Sequence, residues 1–240
     1  MNPYRIRYLI MSTKKTASRV MRVSCSLLCM AALLNYMNIE ASQLQQATQK
    51  KAPQIETERV ILRQWKEDDK KHLHQLLEDP EVNKFLEVLG KNSPEKVETF
   101  VTKATNNIAQ NGYGYFACQH KESGEFMGWA GLNYIDWIEG GPFPCYTISG
   151  IMAPKYWSHG YATEVGQALL KLGFEQHNMS EIHACAVAAN SNSEKAMKRI
   201  GLKHKEDFDF PGIAKEHPHA RNVLYVITKE AYEKKMSSEK

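Results

Sequence analysis

From about residue 55 onward, the spacing of apolar positions alternates between a two-residue period and a helical one. The β-rich run at 58–65 predicts a first strand. Asp68 and Asp69 then offer an N-cap, and Leu73, Leu76 and Leu77 form a helical stripe that Asp79-Pro80 closes. Ser93-Pro94-Glu95 reads as a helix start, with a capping hydroxyl, proline at the first position and an acid in the first turn. Val97, Phe100, Val101, Ala104 and Ile108 follow at helical spacing until Asn111-Gly112. Strands are predicted at 115–120 and 125–134, joined by a Lys121-Glu122-Ser123-Gly124 turn, and at 145–152, where Pro154 ends the pairing. A helix at 160–174 precedes a strand at 181–187 and a short helix at 191–200, stopped by Gly201. Strands at 203–208 and 222–228 follow, the second almost wholly apolar and therefore expected to be central. A terminal helix covers 229–236. The order β-α-α-β-β-β-α-β-α-β-β-α is neither repeated nor strictly alternating, which makes this a mixed α/β or α+β single domain over residues 55–236.

The first 54 residues read differently. Residues 1–51 carry eight Lys/Arg and one acid, Glu40, whereas the whole chain of 240 residues has a formal net charge of only +4. The body is therefore mildly acidic. That disfavours a nucleic-acid footprint, which needs clustered cations. The basic start followed by the apolar run at 23–34 resembles a secretory signal, and the run is shorter than the ~20 residues that span a bilayer. A frayed or amphipathic extension, or translation starting at Met11 or Met21, fits as well. Residues 43–53 are polar and non-periodic, a linker. Five cysteines, at 25, 29, 118, 145 and 185, form neither a disulfide framework nor a zinc set. His72-Leu73-His74 and His217-Pro218-His219 have the wrong spacing for a metal, so no metal is expected.

Candidate chemistry lies in two strand-to-helix joints. In the first, the 145–152 strand runs through Tyr156-Trp157-Ser158-His159-Gly160-Tyr161-Ala162-Thr163-Glu164 into a helix. The first turn of that helix offers unpaired N–H groups and the positive end of the macrodipole. Gly160 and Ala162 keep the approach open, which suits a pyrophosphate. Neither a Walker lysine nor G-x-G-x-x-G is present, so nucleotide-hydrolysing and dinucleotide-binding classes are disfavoured. In the second joint, Asn190, Ser191, Asn192 and Ser193 start the 191–200 helix. One of the first three is needed as a cap, leaving the others able to reach a ligand between two diverging strands.

These two segments resemble the GNAT acetyltransferase superfamily. Trp157, Gly160 and Ala162 stand at the Arg/Gln-x-x-Gly-x-Gly/Ala positions of its acyl-CoA loop. Asn190-x-x-Ser193 with Gly201-Leu202 is similar to its following element. Thr57-Glu58-Arg59-Val60-Ile61-Leu62-Arg63 and the 208–225 tail are similar to the ribosomal-protein N-acetyltransferase-like branch. The resemblance implies a single mixed, mostly antiparallel splayed sheet with helices on both faces. Acetyl-CoA would enter between the 145–152 and 181–187 strands, held by Ile151, Met152, Trp157, Ser158, His159, Gly160, Tyr161, Ala162, Thr163, Asn190 and Ser193. A primary amine would attack the thioester directly. The implied function is N-acetyl transfer to a protein N-terminus or a small-molecule amine.

Three departures bear on catalysis. Ser158 stands where the family usually has glycine. Thr147 and Gly150-Ile151 replace a strand glutamate and a Trp-Arg pair. Met197 stands where many relatives carry a tyrosine. Ser193 is then the candidate general acid, and Glu139, Glu216 and His217 are candidate bases. Trp137 and Tyr146 are candidate acceptor-pocket residues. An acyl-CoA-binding or sensing domain without catalysis is the alternative. A cytoplasmic monomer or dimer is expected, with membrane association or export if residues 1–41 act as a signal.

Overall fold

Strand residues with alternating burial and helices with one buried stripe can only assemble in layers, and here the sheet forms the middle layer. The computed structural model describes residues 54–86, 92–136 and 144–238. The leader, Trp137, Glu139 and the glycine-rich part of the 140–144 loop lie outside the described residues. Over the described residues the strands are β1 (Ile55–Glu56), β2 (Val60–Arg63), β3 (Tyr115–His120), β4 (Phe126–Ile135), β5 (Cys145–Met152), β6 (Glu181–Val187), β7 (Lys203–Asp209) and β8 (Arg221–Thr228). They form one open sheet in the order β1-β2-β3-β4-β5-β6-β8-β7. Every neighbouring pair is antiparallel except β5–β6. The apolar β8 lies between β6 and β7, as its composition predicts.

The helices are α1 (Asp69–Glu78), α2 (Pro80–Asn83), α3 (Pro94–Asn111), α4 (Tyr161–Lys171), α5 (Ser191–Ile200) and α6 (Lys229–Ser238). Side chains of successive strand residues point to opposite faces, so ring contacts identify the layers. On one face Phe100 of α3 stacks on Tyr115, with centroids 5.8 Å apart, and meets Trp129 at 5.1 Å. On the other, Tyr225 donates to Glu194 of α5 at 2.6 Å, and Tyr232 of α6 stacks on Phe174 at 4.9 Å. Helices therefore cover both faces.

Local signals held where they were local. Ser93 accepts from the Lys96 amide at 3.3 Å, and Gly112 and Gly201 end their helices in the left-handed region. Two details differ. Asp68 makes no capping bond. Instead Asp69, 3% exposed, accepts from the Lys66 amide at 2.7 Å and takes a two-pronged bond from Arg63 at 2.7 and 2.9 Å. A buried carboxylate needs such a partner, and only strand packing supplies it. The helix predicted at 160–174 passes into a π-turn over Leu172–Gln176. The wider turn lets both Leu172 and Phe174 reach the core, at 2% and 1% exposure.

Candidate active site

Strands β5 and β6 are each fully paired on their outer sides, β5 along β4 from Cys145 to Met152 and β6 along β8 from Glu181 to Val187. Between themselves they pair at one register point, Thr147 opposite His183. Beyond that point the sheet forks. The Ala153 amide donates to the Met127 carbonyl at 2.8 Å, and backbone groups along a strand alternate sides. Ser149 and Ile151 therefore turn their backbone groups to β4, while Gly150 and Met152 turn theirs into the fork. The main chain of Ile151, one of the expected acyl-CoA residues, is thus taken up by β4, and the edge toward the fork belongs to Gly150 and Met152.

The loop after β5 leads to the N-terminus of α4 at the mouth of the fork. Gly160 is the N-cap residue with φ 85°, and no side chain caps it. Its carbonyl accepts from the Thr163 and Glu164 amides, both at 3.0 Å. The Tyr161 and Ala162 amides precede any helical carbonyl partner and are the donors an anion would meet. Ser158 takes φ 64°, a left-handed conformation that costs a residue with a Cβ about 1–2 kcal/mol. That explains why glycine suits this position. The Trp157 indole donates to the Met152 carbonyl at 2.6 Å, and His159 Nδ1 lies 2.6 Å from the Trp157 carbonyl.

A brace from the turn that precedes β2, with no local signal in the sequence, holds this loop. Glu164 accepts from the Thr57 hydroxyl at 2.5 Å, from the Arg59 amide at 2.7 Å and from Arg59 Nε at 2.7 Å. Arg59 also donates to the His159 carbonyl at 3.0 Å, and its guanidinium lies 4.3 Å from the Tyr161 ring centroid. Burial alone would raise the Glu164 pKa; the Thr57 and Arg59 donors outweigh it and hold the carboxyl below its ordinary value. Glu164 pushes the Arg59 pKa up in turn. Thr57 and Arg59 carried a resemblance signal in the sequence but no local chemical one, because their partner lies more than 100 residues away.

On the other wall, Asn190 is the cap among the three candidates: its Oδ1 accepts from the Ser193 amide at 3.1 Å. Ser193 thus sits half-buried in the first turn of α5, a helix that buries Met197 and Ile200. The floor is polar. Thr147 is 2% exposed and its hydroxyl reaches the Asn133 carbonyl at 3.4 Å. His183 is 1% exposed, with Nε2 3.4 Å from Lys205 Nζ. Burial pushes the Cys118 thiol up to about 12 and those of Cys145 and Cys185 up to about 11, so none is a ready thiolate.

The remaining candidates are dispersed. Glu216 is exposed on the β7–β8 connection. His217, on the same connection, accepts at Nδ1 from the His219 amide at 3.1 Å, and the His219 ring lies 5.7 Å from Phe85. Tyr146 packs between Tyr134 at 5.0 Å and Tyr113 at 6.0 Å. It lies on the face opposite Thr147 and Ser149 because adjacent strand residues alternate. It is half-buried there, beside the exposed Tyr134. Among the described residues no cluster of His, Cys, Asp and Glu could hold a metal ion.

Residues 59–203 match the family model described as Acetyltransferase (GNAT) domain. The chain is 25% identical over 168 residues to the protein named uncharacterized N-acetyltransferase p20 of Bacillus licheniformis, covering 70% of this chain and 89% of that one. It is 28% identical over 193 residues to FsC-acetyl coenzyme A-N(2)-transacetylase of Aspergillus fumigatus, covering 77% of this chain and 80% of that one. The crystal structure of a GNAT-family acetyltransferase from Bacillus anthracis superposes with a TM-score of 0.60 at 26% identity, over 74% of this chain and 99% of that one.

Proposed function

The chain belongs to the GNAT acetyltransferase family, an acetyl-CoA-dependent transferase, and from that premise we propose that it acetylates a primary amine by direct attack within a ternary complex. The observation that carries this reading is the fork. Two strands that meet only at Thr147 and His183 leave the Gly150 backbone groups and the Met152 amide facing an opening, the Met152 carbonyl being taken by the Trp157 indole, and a helix N-terminus stands at its mouth. An unpaired strand edge takes an extended, amide-bearing ligand by strand addition. The Tyr161 and Ala162 amides suit a diphosphate. A molecule that carries both, amides along an arm and a diphosphate at its end, is acyl-CoA.

Trp157, Ser158, His159, Gly160 and Thr163 complete the loop, and Asn190 and Ser193 form the facing wall. Holding thioester and amine together removes much of the entropic barrier to a bimolecular step, up to ~7–11 kcal/mol. The amine must arrive unprotonated, so a base or a water leading to one is required. Glu216 and His217 are the described candidates, both on the connection that closes over the α1–α3 face of the sheet. Ser193 is the hydroxyl the sequence offers as acid.

The acceptor is a protein N-terminus or a small amine. The Thr57-Glu58-Arg59 opening supports the ribosomal-protein-like branch, whereas the name of the Aspergillus relative supports a small-molecule amine. Among the described residues no helix is long and apolar enough to cross a membrane; we place the domain with its acetyl-CoA supply, in the cytoplasm. Thr147 in place of a strand glutamate favours a second reading, acyl-CoA sensing without turnover.

Calorimetric titration with acetyl-CoA, together with thiol release across a panel of amines, tests both readings. Binding with thiol release for at least one amine supports the transferase. Binding with no release for any amine supports the sensor. Gly160→Val should abolish binding, because its φ of 85° strains a branched residue and shifts the loop; a Cβ there meets only Arg59 Nη2 at 3.5 Å, so the core is undisturbed, and circular dichroism checks that the variant folds. Unchanged affinity in that variant would remove the loop from the site.

A further inference from the structure

One partly buried phenol stands on the row of the sheet that leads to the fork. Tyr115 lies opposite Gly131 on β4, and Gly131 lies opposite Ser149 on β5. The three positions form one row across the sheet on the face that carries Thr147. Gly131 brings no side chain to this row, and a Cβ there would strike the Gly114 carbonyl and the Tyr115 Cα, so β3 and β4 lie close together at Tyr115. The direction of the Tyr115 ring is held by Phe100, stacked at 5.8 Å with an interplanar angle of 12°, and by Trp129 at 4.7 Å. The Asn133, Ser149 and Thr147 side chains reach toward the hydroxyl, each of them lowering its pKa. Thr147 is the last residue of β5 paired to β6, and Ser149 is the first side chain on this face beyond the split. The phenol therefore ends at the point from which the fork opens. Burial pushes its pKa above the ordinary value, against the pull of those three partners, so it keeps its proton at neutral pH. It suits donation rather than proton abstraction.

We propose that Tyr115 is a catalytic residue of the acetyl transfer, donating its hydroxyl proton to the CoA sulfur as the carbon–sulfur bond breaks. The balance is closed. The amine nitrogen forms a bond to the acetyl carbon, the sulfur leaves with the electron pair, and Tyr115 supplies the proton that makes it a thiol. The proton shed by the nitrogen returns to Tyr115, directly or through the Ser149 hydroxyl. The products are the acetylated amine and CoA, with no further reactant. This inference rests on the acetyl-CoA reading and shifts the donor role from Ser193, which lies in the first turn of α5, to a group on β3.

The test uses the full chain and a responsive amine. For Tyr115→Phe, acetyl-CoA affinity measured by calorimetry should stay within about twofold while kcat falls about 10²-fold, the usual worth of a positioned acid. Ser193→Ala should cost less than Tyr115→Phe. Incorporating 3,5-difluorotyrosine at 115 preserves the packing but acidifies the phenol. It should move the alkaline limb of the kcat–pH profile to lower pH. Acetyl-CoA binding with undiminished turnover in Tyr115→Phe would overturn the proposal, as would an unmoved alkaline limb in the fluorinated protein. Failure of the wild-type chain to bind acetyl-CoA would instead overturn the underlying reading, so the two failures are distinguishable.

Discussion

Replacing Glu164 by glutamine keeps the size of the side chain and removes its charge. The carboxylate takes a 2.5 Å bond from Thr57 and a 2.7 Å bond from the Arg59 amide, and only 16% of the side chain is exposed. Each hydrogen bond to a charged acceptor contributes about 1.5–3 kcal/mol. The glutamine carbonyl can still accept one of them, so the expected loss is that of one such bond, about 2 kcal/mol. The Arg59 guanidinium is 40% exposed and screened by water, so nothing is counted for it. For a domain of this size the loss lowers Tm by roughly 4–8 °C.

Because folding lowers the Glu164 pKa, its stabilisation is fully present above the ordinary carboxylate value of about 4.3 and is lost as pH falls through the folded value. Melting curves of the two proteins should therefore converge as pH drops below 4. Acetyl-CoA affinity should weaken as well, since Arg59 released from Glu164 no longer holds the His159 carbonyl at 3.0 Å. Thermal unfolding followed by circular dichroism from pH 3 to 8, with calorimetry at pH 7, measures all three effects. A Tm within 1 °C of wild type at pH 7, or a gap that persists unchanged into acid, would refute the brace.

Ser158→Gly relieves a left-handed φ of 64° and should raise stability by about 0.5–1 kcal/mol, the strain of ~1–2 kcal/mol less the added freedom of the unfolded chain; denaturant midpoints check it, and a loss would contradict the strain. Asn190→Ala should cost about 1 kcal/mol as a lost cap, which Asn190→Ser restores. Both variants should bind acetyl-CoA several-fold more weakly, and full affinity in the serine variant would reduce Asn190 to a cap. His183 is held below its ordinary pKa, chiefly by burial, with Glu181 opposing and Lys205 assisting. Its contribution is therefore present above about pH 6.5 and is lost as pH falls through the folded value. Urea midpoints of His183→Leu should accordingly slope less between pH 5 and 6.5 than those of wild type, and equal slopes would show that folding does not lower the His183 pKa.

Much of the architecture was legible because its causes are local. The period of two along Tyr115–His120, Cys145–Met152 and Glu181–Val187, and the Asn190–Gly201 frame around Ser191–Ile200, depend on residues within a few positions of one another. The Gly160 loop was legible for the same reason: a strand, a residue free to take φ 85° and a helix start are consecutive in the chain. Asp68 shows the limit even there. Its neighbour Asp69 was drawn inward by Arg63 from a strand, and no helix-start rule contains that partner.

The chain by itself therefore determined which segments form strands and helices and which loop runs into the uncapped start of α4, since dihedral preferences and side-chain periodicity act over a single turn or pleat. Tertiary structure alone decided that the Met152 rather than the Ile151 main chain faces the fork, that Tyr146 packs between Tyr113 and Tyr134, that Glu164 is gripped by Thr57 and Arg59, and that Tyr115 shares a row with Gly131 and Ser149. Each of these follows from strand register, which sets the partner of every backbone group and the face of every side chain. A slip of one residue would reverse them all.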